Sequence, residues 1–382
     1  MKNYLVVSLA ALALLSSCGG KNETELPPEA PSYDFTPAGL AKMFSSLPLE
    51  KAHLQEVYDA VGKSSGNGYD EEYTMGCLIE SPGAGVGDTP SAKASAGEKL
   101  ANPLRNLLRD YLEARPQTRG GDVDAMLKQL SQSDFQLYWP YSENWDGESY
   151  PIITFDPGCG AETNYGYRIA PGPDGMHIVD SVFVDEALAV EQPVWVFNSN
   201  SDAAFTPLKL TEAAAFSESA PVPLARHRKL LLRSFKMKRN YDSWFGGASE
   251  FWVKCGSVEG FNAATDAELH LFYPSVTDFM IVVKRRYVNK ELPFDAILVG
   301  DFTTQLDKIV FMITEDDGGT RTNWKAEAVV KIQSKTYGFT IDIPYNEKDD
   351  IVWRGQLSAR FFEEADLVRG RFGDVEAVFE LD

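Results

Sequence analysis

Apolar residues in the first third of the chain recur at the three-to-four-residue spacing of amphipathic helices. Thr36 followed by Pro37 is typical of a helix start, and the apolar side chains that follow, as far as Leu47, fall on one face. Similar stripes run from Leu54 to Val61, from Leu100 to Leu112 and from Asp122 to Leu130. The pattern predicts a helical region over residues 35–132.

The period changes from helical to alternating at Asp134. Phe135, Leu137 and Trp139 alternate with polar residues, and short apolar runs follow at 152–155, 178–184 and 194–197. Pro, Gly, Asn or Asp bound each run, as is typical of strands joined by turns. We expect a small β-rich domain over residues 133–222. An Ala-rich and Pro-containing stretch between Ala213 and Arg228 predicts its boundary.

Alternation is strongest in the C-terminal part, over residues 223–382. Apolar residues alternate at 269–273, 309–313, 337–343 and 375–381, and turn-rich segments such as Asp316–Gly319 separate several of these runs. Short strands in this arrangement predict an antiparallel β-sandwich of about eight to ten strands. The predicted fold class is therefore α+β, mainly β, with helices at the N-terminal end of the folded part. A length of 382 residues also favours more than one domain.

The chain begins with the features of an export signal. Lys2 precedes an apolar run from Tyr4 to Leu15, and the small residues Ser16 and Ser17 precede Cys18. This run is shorter than the roughly 20 residues that a membrane-spanning helix needs. We therefore interpret residues 1–17 as a signal peptide that is removed. An ordinary secretory signal beside a chance cysteine is the alternative.

The segment Leu15-Ser16-Ser17-Cys18 resembles the lipobox of bacterial lipoproteins. The acidic residues Glu23 and Glu25 are similar to the export signals of Bacteroidota surface lipoproteins. The resemblance implies that Cys18 carries a lipid, palmitate included, and that the protein is anchored in the outer membrane, on the cell surface or the periplasmic face. The composition of residues 18–34, rich in Asn, Glu and Pro, predicts a flexible tether between the lipid and the folded part.

The formal net charge of −20 bears on the kind of partner. Such an excess repels nucleic acid and anionic lipid at long range, so we expect neither as a partner. The segment Arg226–Lys229 with Arg233, Lys236, Lys238 and Arg239 is the one markedly basic stretch of the sequence. One interpretation is a docking patch that binds an acidic polymer or the protein's own acidic face. The alternative is a solvated strand face.

Three cysteines remain after Cys18, namely Cys77, Cys159 and Cys255. One disulfide with one free thiol and three buried thiols are both compatible with this number. The sequence has no C-x-x-C motif, which argues against a zinc site built from them.

Aromatic and polar residues are densest at 138–146, where Trp139, Tyr141, Glu143, Trp145 and Asp146 lie close together. Aromatic faces beside carboxylates are suited to a glycan, because sugars stack on rings and hydrogen-bond to polar groups. The alternative is that the rings pack in the protein core, which is the usual role of aromatic residues in strands.

Two acidic segments in the sandwich region suggest a calcium site. Glu315, Asp316 and Asp317 form one predicted turn, and Asp349 and Asp350, with Glu347 beside them, belong to another. Hard oxygen ligands from separate loops can bind Ca²⁺ if the two turns meet at one end of the sandwich. If they do not meet, they are solvated turns, in which Asp is common.

The sequence contains neither H-E-x-x-H nor G-x-S-x-G, and we assign no catalytic residue. The leading hypothesis is a non-enzymatic binding or assembly module of the cell envelope, with the membrane as partner through its lipid. A glycan-binding or glycan-degrading lipoprotein that uses residues 138–146 is the second hypothesis, and another envelope protein is the other partner considered. A secreted protease is a third hypothesis, for which the sequence offers no nucleophile or metal constellation.

Overall fold

The computed structural model describes residues 35–80, 102–114, 122–172, 175–201, 203–211 and 228–382. Within these residues the fold is α+β and mainly β, as the sequence predicts. The predicted signal peptide (1–17), Cys18 and the predicted tether to residue 34 lie outside the described residues. The predicted boundary segment at 213–228 also lies outside them, apart from Arg228.

The predicted helical stripes of the N-terminal region form helices. Thr36 caps the first one, where its hydroxyl oxygen accepts a hydrogen bond from the Gly39 amide at 3.0 Å. Asp122 caps another in the same way, accepting from the Ala125 amide at 3.1 Å. The α-helices of the described chain are α1 (Pro37–Phe44), α2 (Lys51–Gly66), α3 (Met75–Glu80), α4 (Pro103–Ala114), α5 (Val123–Ser131), α6 (Glu186–Glu191) and α7 (Ala359–Phe362).

The first sheet has six strands in the order β1-β2-β6-β3-β4-β5. Neighbouring strands in this sheet are antiparallel, except for β3 and β6, which are parallel. The strands are β1 (Glu72–Thr74), β2 (Phe135–Tyr138), β3 (Ile152–Phe155), β4 (Thr163–Gly172), β5 (Gly175–Asp185) and β6 (Val194–Ser199). Helices α1 to α5 pack on one face of this sheet, and Phe44 of α1 contacts Phe197 of β6 with ring centroids 4.7 Å apart. The helical region and this sheet therefore share one hydrophobic core.

The C-terminal part is an antiparallel β-sandwich of ten strands, in agreement with the sequence prediction. A four-stranded sheet has the order β10-β7-β16-β15, and a six-stranded sheet has the order β13-β12-β11-β8-β9 with β14 beside β11. The strands are β7 (Arg228–Met237), β8 (Ser249–Ser257), β9 (Ser275–Val283), β10 (Leu292–Phe302), β11 (Leu306–Glu315), β12 (Arg321–Ile332), β13 (Lys335–Asn346), β14 (Asp350–Ser358), β15 (Leu367–Phe372) and β16 (Val375–Leu381). Phe311 of β11 and Phe379 of β16 meet between the sheets, with ring centroids 5.6 Å apart.

One strand predicted from alternation is absent at its expected place. Residues 266–271 form a 3₁₀ helix, and β9 begins only at Ser275. The Ala264 amide donates to the Glu268 carboxylate at 2.7 Å, which favours a turn over a strand. Leu271 and Tyr273 are 61% and 78% exposed, so the alternation here does not mark a buried face.

The loop between β7 and β8 connects the sandwich to the first sheet. Trp244 and Phe245 are buried in a small core with residues of β3, β5 and β6. The Asn198 amide group donates to the backbone oxygens of Phe245 and Gly246, both at 2.9 Å. The Ala248 amide donates to Asp70 at 2.8 Å. These buried contacts hold the loop in place from the side of the first sheet.

The described part of the basic stretch is paired with acidic residues of neighbouring strands. Arg233 bonds to carboxylates on β10 and β16, and Lys238 lies 3.1 Å from Glu376 of β16. Arg239 lies 2.8 Å from Asp374. These side chains therefore belong to cross-strand ion pairs with the protein's own acidic groups.

Cys77, Cys159 and Cys255 are all free thiols, with Cys159 exposed and Cys255 buried. Burial raises the pKa of the Cys255 thiol, which keeps it protonated. Among the described helices, none combines the length and the apolar character that crossing a bilayer requires.

Candidate functional site

The aromatic segment at 138–146 is largely built into the protein core. Trp139 is 1% exposed, and its ring lies within 6.0 Å of the rings of Tyr58, Trp145 and Trp195 by centroid distance. Trp145 is half-buried and donates its indole N–H to the Ser149 backbone oxygen at 2.9 Å. Trp139 is therefore a core residue and cannot stack on a ligand, because other side chains occupy its surroundings.

The polar residues of the segment make contacts within the protein. The Tyr141 hydroxyl donates to Glu186 at 2.7 Å. Burial is the largest cause of a raised pKa for Tyr141, and this hydrogen bond is the next largest. Asp146 accepts hydrogen bonds from the side chain and amide of Ser149 and from the Glu148 amide, which lower its pKa to about 2. These contacts form the turn itself, so the structure does not bring the predicted residues together as an open glycan platform.

Glu143 lines a cavity of about 290 Å³ between α2 and the sandwich. Tyr58, Ser65 and Glu71 lie on its wall, and Arg286 lies between Glu71 and Glu143 with nitrogen–oxygen distances of 2.7 and 3.0 Å. Glu71, Glu143 and Arg286 on this wall are therefore already paired with one another.

The two predicted acidic turns lie at the same end of the sandwich. Strands β11 and β14 are hydrogen-bonded neighbours, and Glu315 at the end of β11 is the register partner of Asp350 at the start of β14. The first acidic turn (Glu315–Asp317) and the second acidic turn (Asp349–Asp350) are therefore adjacent. This is the arrangement that the calcium prediction required.

Hydrogen bonds join the two turns through Asn346. The Asn346 side chain donates to Asp316 at 2.8 Å, and its backbone amide donates to Asp349 at 2.9 Å. Burial, with Asp316 alongside, raises the pKa of Asp349. Burial also raises the pKa of Asp317, with Asp350 and Asp316 as further causes. Burial is the largest cause of both shifts, and the like charges crowded at this end of the sandwich add to it.

Glu315 is the buried residue of the first acidic turn. It is 1% exposed and forms a group with Asp242 and Glu250, in which one oxygen of each carboxylate lies within 4.8 Å of the others. We call these three residues the acidic centre. Asp242 follows β7, Glu250 is the second residue of β8, and Glu315 ends β11. It is the one such group of metal-ligating side chains among the described residues.

The acidic centre is strongly destabilised as a set of charges. Burial raises the pKa of Glu315, and the negative charges of Asp242, Glu250 and Asp317 raise it further. Burial likewise raises the pKa of Asp242, while its bond to Glu315 opposes this. Glu315 Oε1 and Asp242 Oδ2 are buried, and neither receives a hydrogen bond from a donor outside the acidic centre. A positive ion would satisfy both oxygens.

Sequence reasoning identified Glu315 but missed Asp242 and Glu250. Both are isolated acidic residues near strand ends, in a segment where the sequence pattern indicated only strands and basic residues. Pairing of β8 with β11 brings Glu250 beside the first acidic turn, where the Asp316 amide donates to the Glu250 backbone oxygen at 2.9 Å. No spacing motif in the sequence carries this information.

A second feature is an exposed apolar surface on the hairpin of β4 and β5. Tyr165 and Phe183 are cross-strand partners, 64% and 53% exposed, with ring centroids 6.0 Å apart. Ile178 and Val179 are 44% and 56% exposed. We call these four residues the apolar strip. Ile169, the register partner of Ile178, is buried in the core under the helices, so the strip continues the buried face of the sheet into solvent.

No protein-family model matches this chain, and no curated protein is significantly similar to it.

Proposed function

We propose that the protein is a non-enzymatic binding or assembly module of the bacterial cell envelope, anchored through a lipid on Cys18. The apolar strip is the observation that carries the binding part of this proposal. Exposed apolar side chains gathered on one hairpin are typical of an interaction site, because leaving them in water is unfavourable. The resemblance of residues 15–18 to a lipobox supports the envelope location.

The position of the strip favours an extended partner. Strand β5 is the last strand of its sheet, so its outer edge has no neighbour among the described strands. Edge strands offer unpaired backbone groups to an incoming strand, and adjacent apolar side chains select its sequence. The partner proposed is an extended segment of another envelope protein that adds to the sheet at β5.

A matched pair of substitutions tests the binding surface. Ile178 and Ile297 are 44% and 45% exposed, and Ile297 lies on β10, outside the strip. A photoreactive residue placed at position 183 is expected to crosslink to one envelope protein in intact cells. Ile178→Lys is expected to abolish this crosslink. Ile297→Lys is expected to retain that crosslink. Because both changes place a lysine at an equally exposed isoleucine, general destabilisation affects both variants.

Three outcomes would contradict this binding proposal. The first is a crosslink that persists in Ile178→Lys, and the second is the same loss in both variants. The third is a crosslink only between two copies of this chain, accompanied by a dimer of the purified protein in analytical ultracentrifugation.

The lipid anchor has a separate test. Cells fed an alkyne-tagged palmitate should label the full-length protein, and Cys18→Ala should remove both the label and the protein's recovery with outer membranes. An unlabelled wild-type protein, or one recovered from the cytosol, would contradict the envelope proposal.

A further inference from the structure

Two strands of the sandwich, β8 and β11, and the loop between β7 and β8 bring the carboxylates of the acidic centre together. Hydrogen bonding fixes each contributing segment: Arg285 donates to the Asp242 backbone oxygen at 2.7 Å, and Asp316 donates to that of Glu250 at 2.9 Å. Glu315 lies in the continuous ladder that β11 forms with β8, and it is also the register partner of Asp350 on β14. The centre is therefore built on a rigid part of the fold.

The buried oxygen of Glu315 is the independent sign of a missing partner. The residue is 1% exposed, and Oε1 accepts no hydrogen bond from a donor outside the acidic centre. The Asp242 carboxylate beside it has an oxygen in the same condition. Buried polar atoms are nearly always paired in folded proteins, so two unpaired oxygens within one group of carboxylates indicate a ligand with positive charge.

The cation beside Asp242 is already paired with another residue. Arg285 is the positive group that acts on Asp242, but its guanidinium makes a bidentate pair with Glu186, at 2.9 and 3.1 Å. Asp156 and Asp317 add further negative charge near Asp242. The local field therefore favours a cation over an anion or a neutral ligand.

The donor set determines the class of cation. All three side chains offer carboxylate oxygens, which are hard ligands that suit Ca²⁺ or Mg²⁺ and not the softer metals that select sulfur or imidazole. Oxygens on opposite sides of one Ca²⁺ ion are about 4.6–5.2 Å apart, since each lies about 2.3–2.6 Å from the ion. The three oxygens of the centre lie within 4.8 Å of one another, close enough for one Ca²⁺ ion to contact all of them.

We propose that Asp242, Glu250 and Glu315 bind one Ca²⁺ ion, with backbone oxygens or water completing its coordination. The site goes beyond the proposed binding function and does not depend on it. The sequence predicted five residues as calcium ligands, and Glu315 is the one of them that belongs to the acidic centre. Asp316 and Asp349 instead bond to Asn346, and Asp317 contributes its charge to the field.

Calcium at this place would join separate parts of the chain. Asp242 lies in the loop whose Trp244 and Phe245 are buried against the first sheet, while Glu250 and Glu315 belong to the sandwich. An ion shared by all three would hold the loop to the end of β8 and β11. We therefore expect calcium to stabilise the protein against unfolding, because only the folded state assembles the site.

The test uses the full-length chain in detergent after removal of metals with EDTA. Isothermal titration with CaCl₂ is expected to show one site per chain, and the thermal unfolding midpoint is expected to rise with CaCl₂. Glu315→Gln and Glu250→Gln should each weaken calcium binding at least tenfold while the far-UV circular dichroism spectrum stays unchanged. Terbium luminescence excited through Trp244 or Trp252 gives a second readout of occupancy.

Glu347→Gln is the matched control. Glu347 is exposed and lies at the same end of the sandwich, but it is outside the acidic centre. Its substitution by Gln removes the same carboxylate group as Glu315→Gln does. It should leave calcium affinity within twofold of wild type. The proposal is overturned if the folded chain binds no calcium at millimolar concentration, if Glu315→Gln and Glu347→Gln behave alike, or if MgCl₂ binds as tightly as CaCl₂.

Discussion

Glu71 and Lys284 form a buried ion pair between the N-terminal region and the sandwich. Lys284 Nζ lies 3.0 Å from Glu71 Oε1, and the two side chains are 8% and 4% exposed. Arg286 also contacts Glu71, at 2.7 Å. The positive charges of Lys284 and Arg286 lower the pKa of Glu71 against the opposing effect of burial. Glu71 is therefore ionised and depends on its partners.

Lys284→Met is expected to destabilise the protein by about 3–5 kcal/mol, because it leaves a buried carboxylate with one partner fewer. Lys51→Met is the control: Lys51 pairs with Glu148, and both side chains are largely exposed, so the loss should be below about 1 kcal/mol. Urea unfolding followed by circular dichroism measures both. Equal losses of unfolding free energy in the two variants would show that the buried pair stabilises the protein no more than the exposed pair does.

His53 should make stability depend on pH. Its Nδ1 accepts a hydrogen bond from the Glu50 amide at 2.8 Å, which requires the neutral ring, and burial lowers its pKa. The unfolded state therefore binds a proton more readily, and stability should fall as pH decreases from about 6.5 towards the lower pKa of the folded state. The thermal midpoint of His53→Gln, measured from pH 5 to 8, should lack this part of the decrease. Parallel curves for the two proteins would contradict the assignment.

Trp139 should behave as a core residue. Trp139→Ala removes a side chain that is 1% exposed and should cost about 3–5 kcal/mol in free energy of unfolding. Trp145→Ala should cost less, because Trp145 is only half-buried. Denaturant unfolding of both variants provides the comparison, and a smaller loss for Trp139→Ala than for Trp145→Ala would contradict the packing seen here.

Gly373 is required by the turn between β15 and β16. Its φ of +59° lies in the left-handed region, and an added Cβ would collide with the Val352 backbone oxygen. Gly147 has a φ of +77° but open space around it. Gly147→Ala should cost about 1–2 kcal/mol from backbone conformation alone, and Gly373→Ala should cost more. Thermal unfolding of the two variants separates the collision from the conformational cost, and equal losses would argue against the collision.

Local patterns in the sequence predicted the elements that local physics controls. The stripe from Leu54 to Val61 gives a helix because spacing alone places its apolar residues on one face, and Thr36 marks a helix start because its cap bond spans three residues. The alternation at 269–273 misled because Leu271 and Tyr273 are exposed and, of the three alternating residues, only Leu269 packs against the core. The parallel pairing of β3 with β6 was not predicted, since strand partners lie far apart in the chain.

The sequence by itself determined the class of the fold, the alternation of the sandwich strands, the acidic charge and the chemistry of each acidic turn. Only the tertiary structure decided that Trp139 is buried among other rings and that Asp242 and Glu250 lie beside Glu315. The physical reason is the distance along the chain between the residues that interact. Helix stripes and turn preferences depend on neighbours within a few residues, whereas burial and a three-carboxylate centre depend on which strands pair across the whole folded chain.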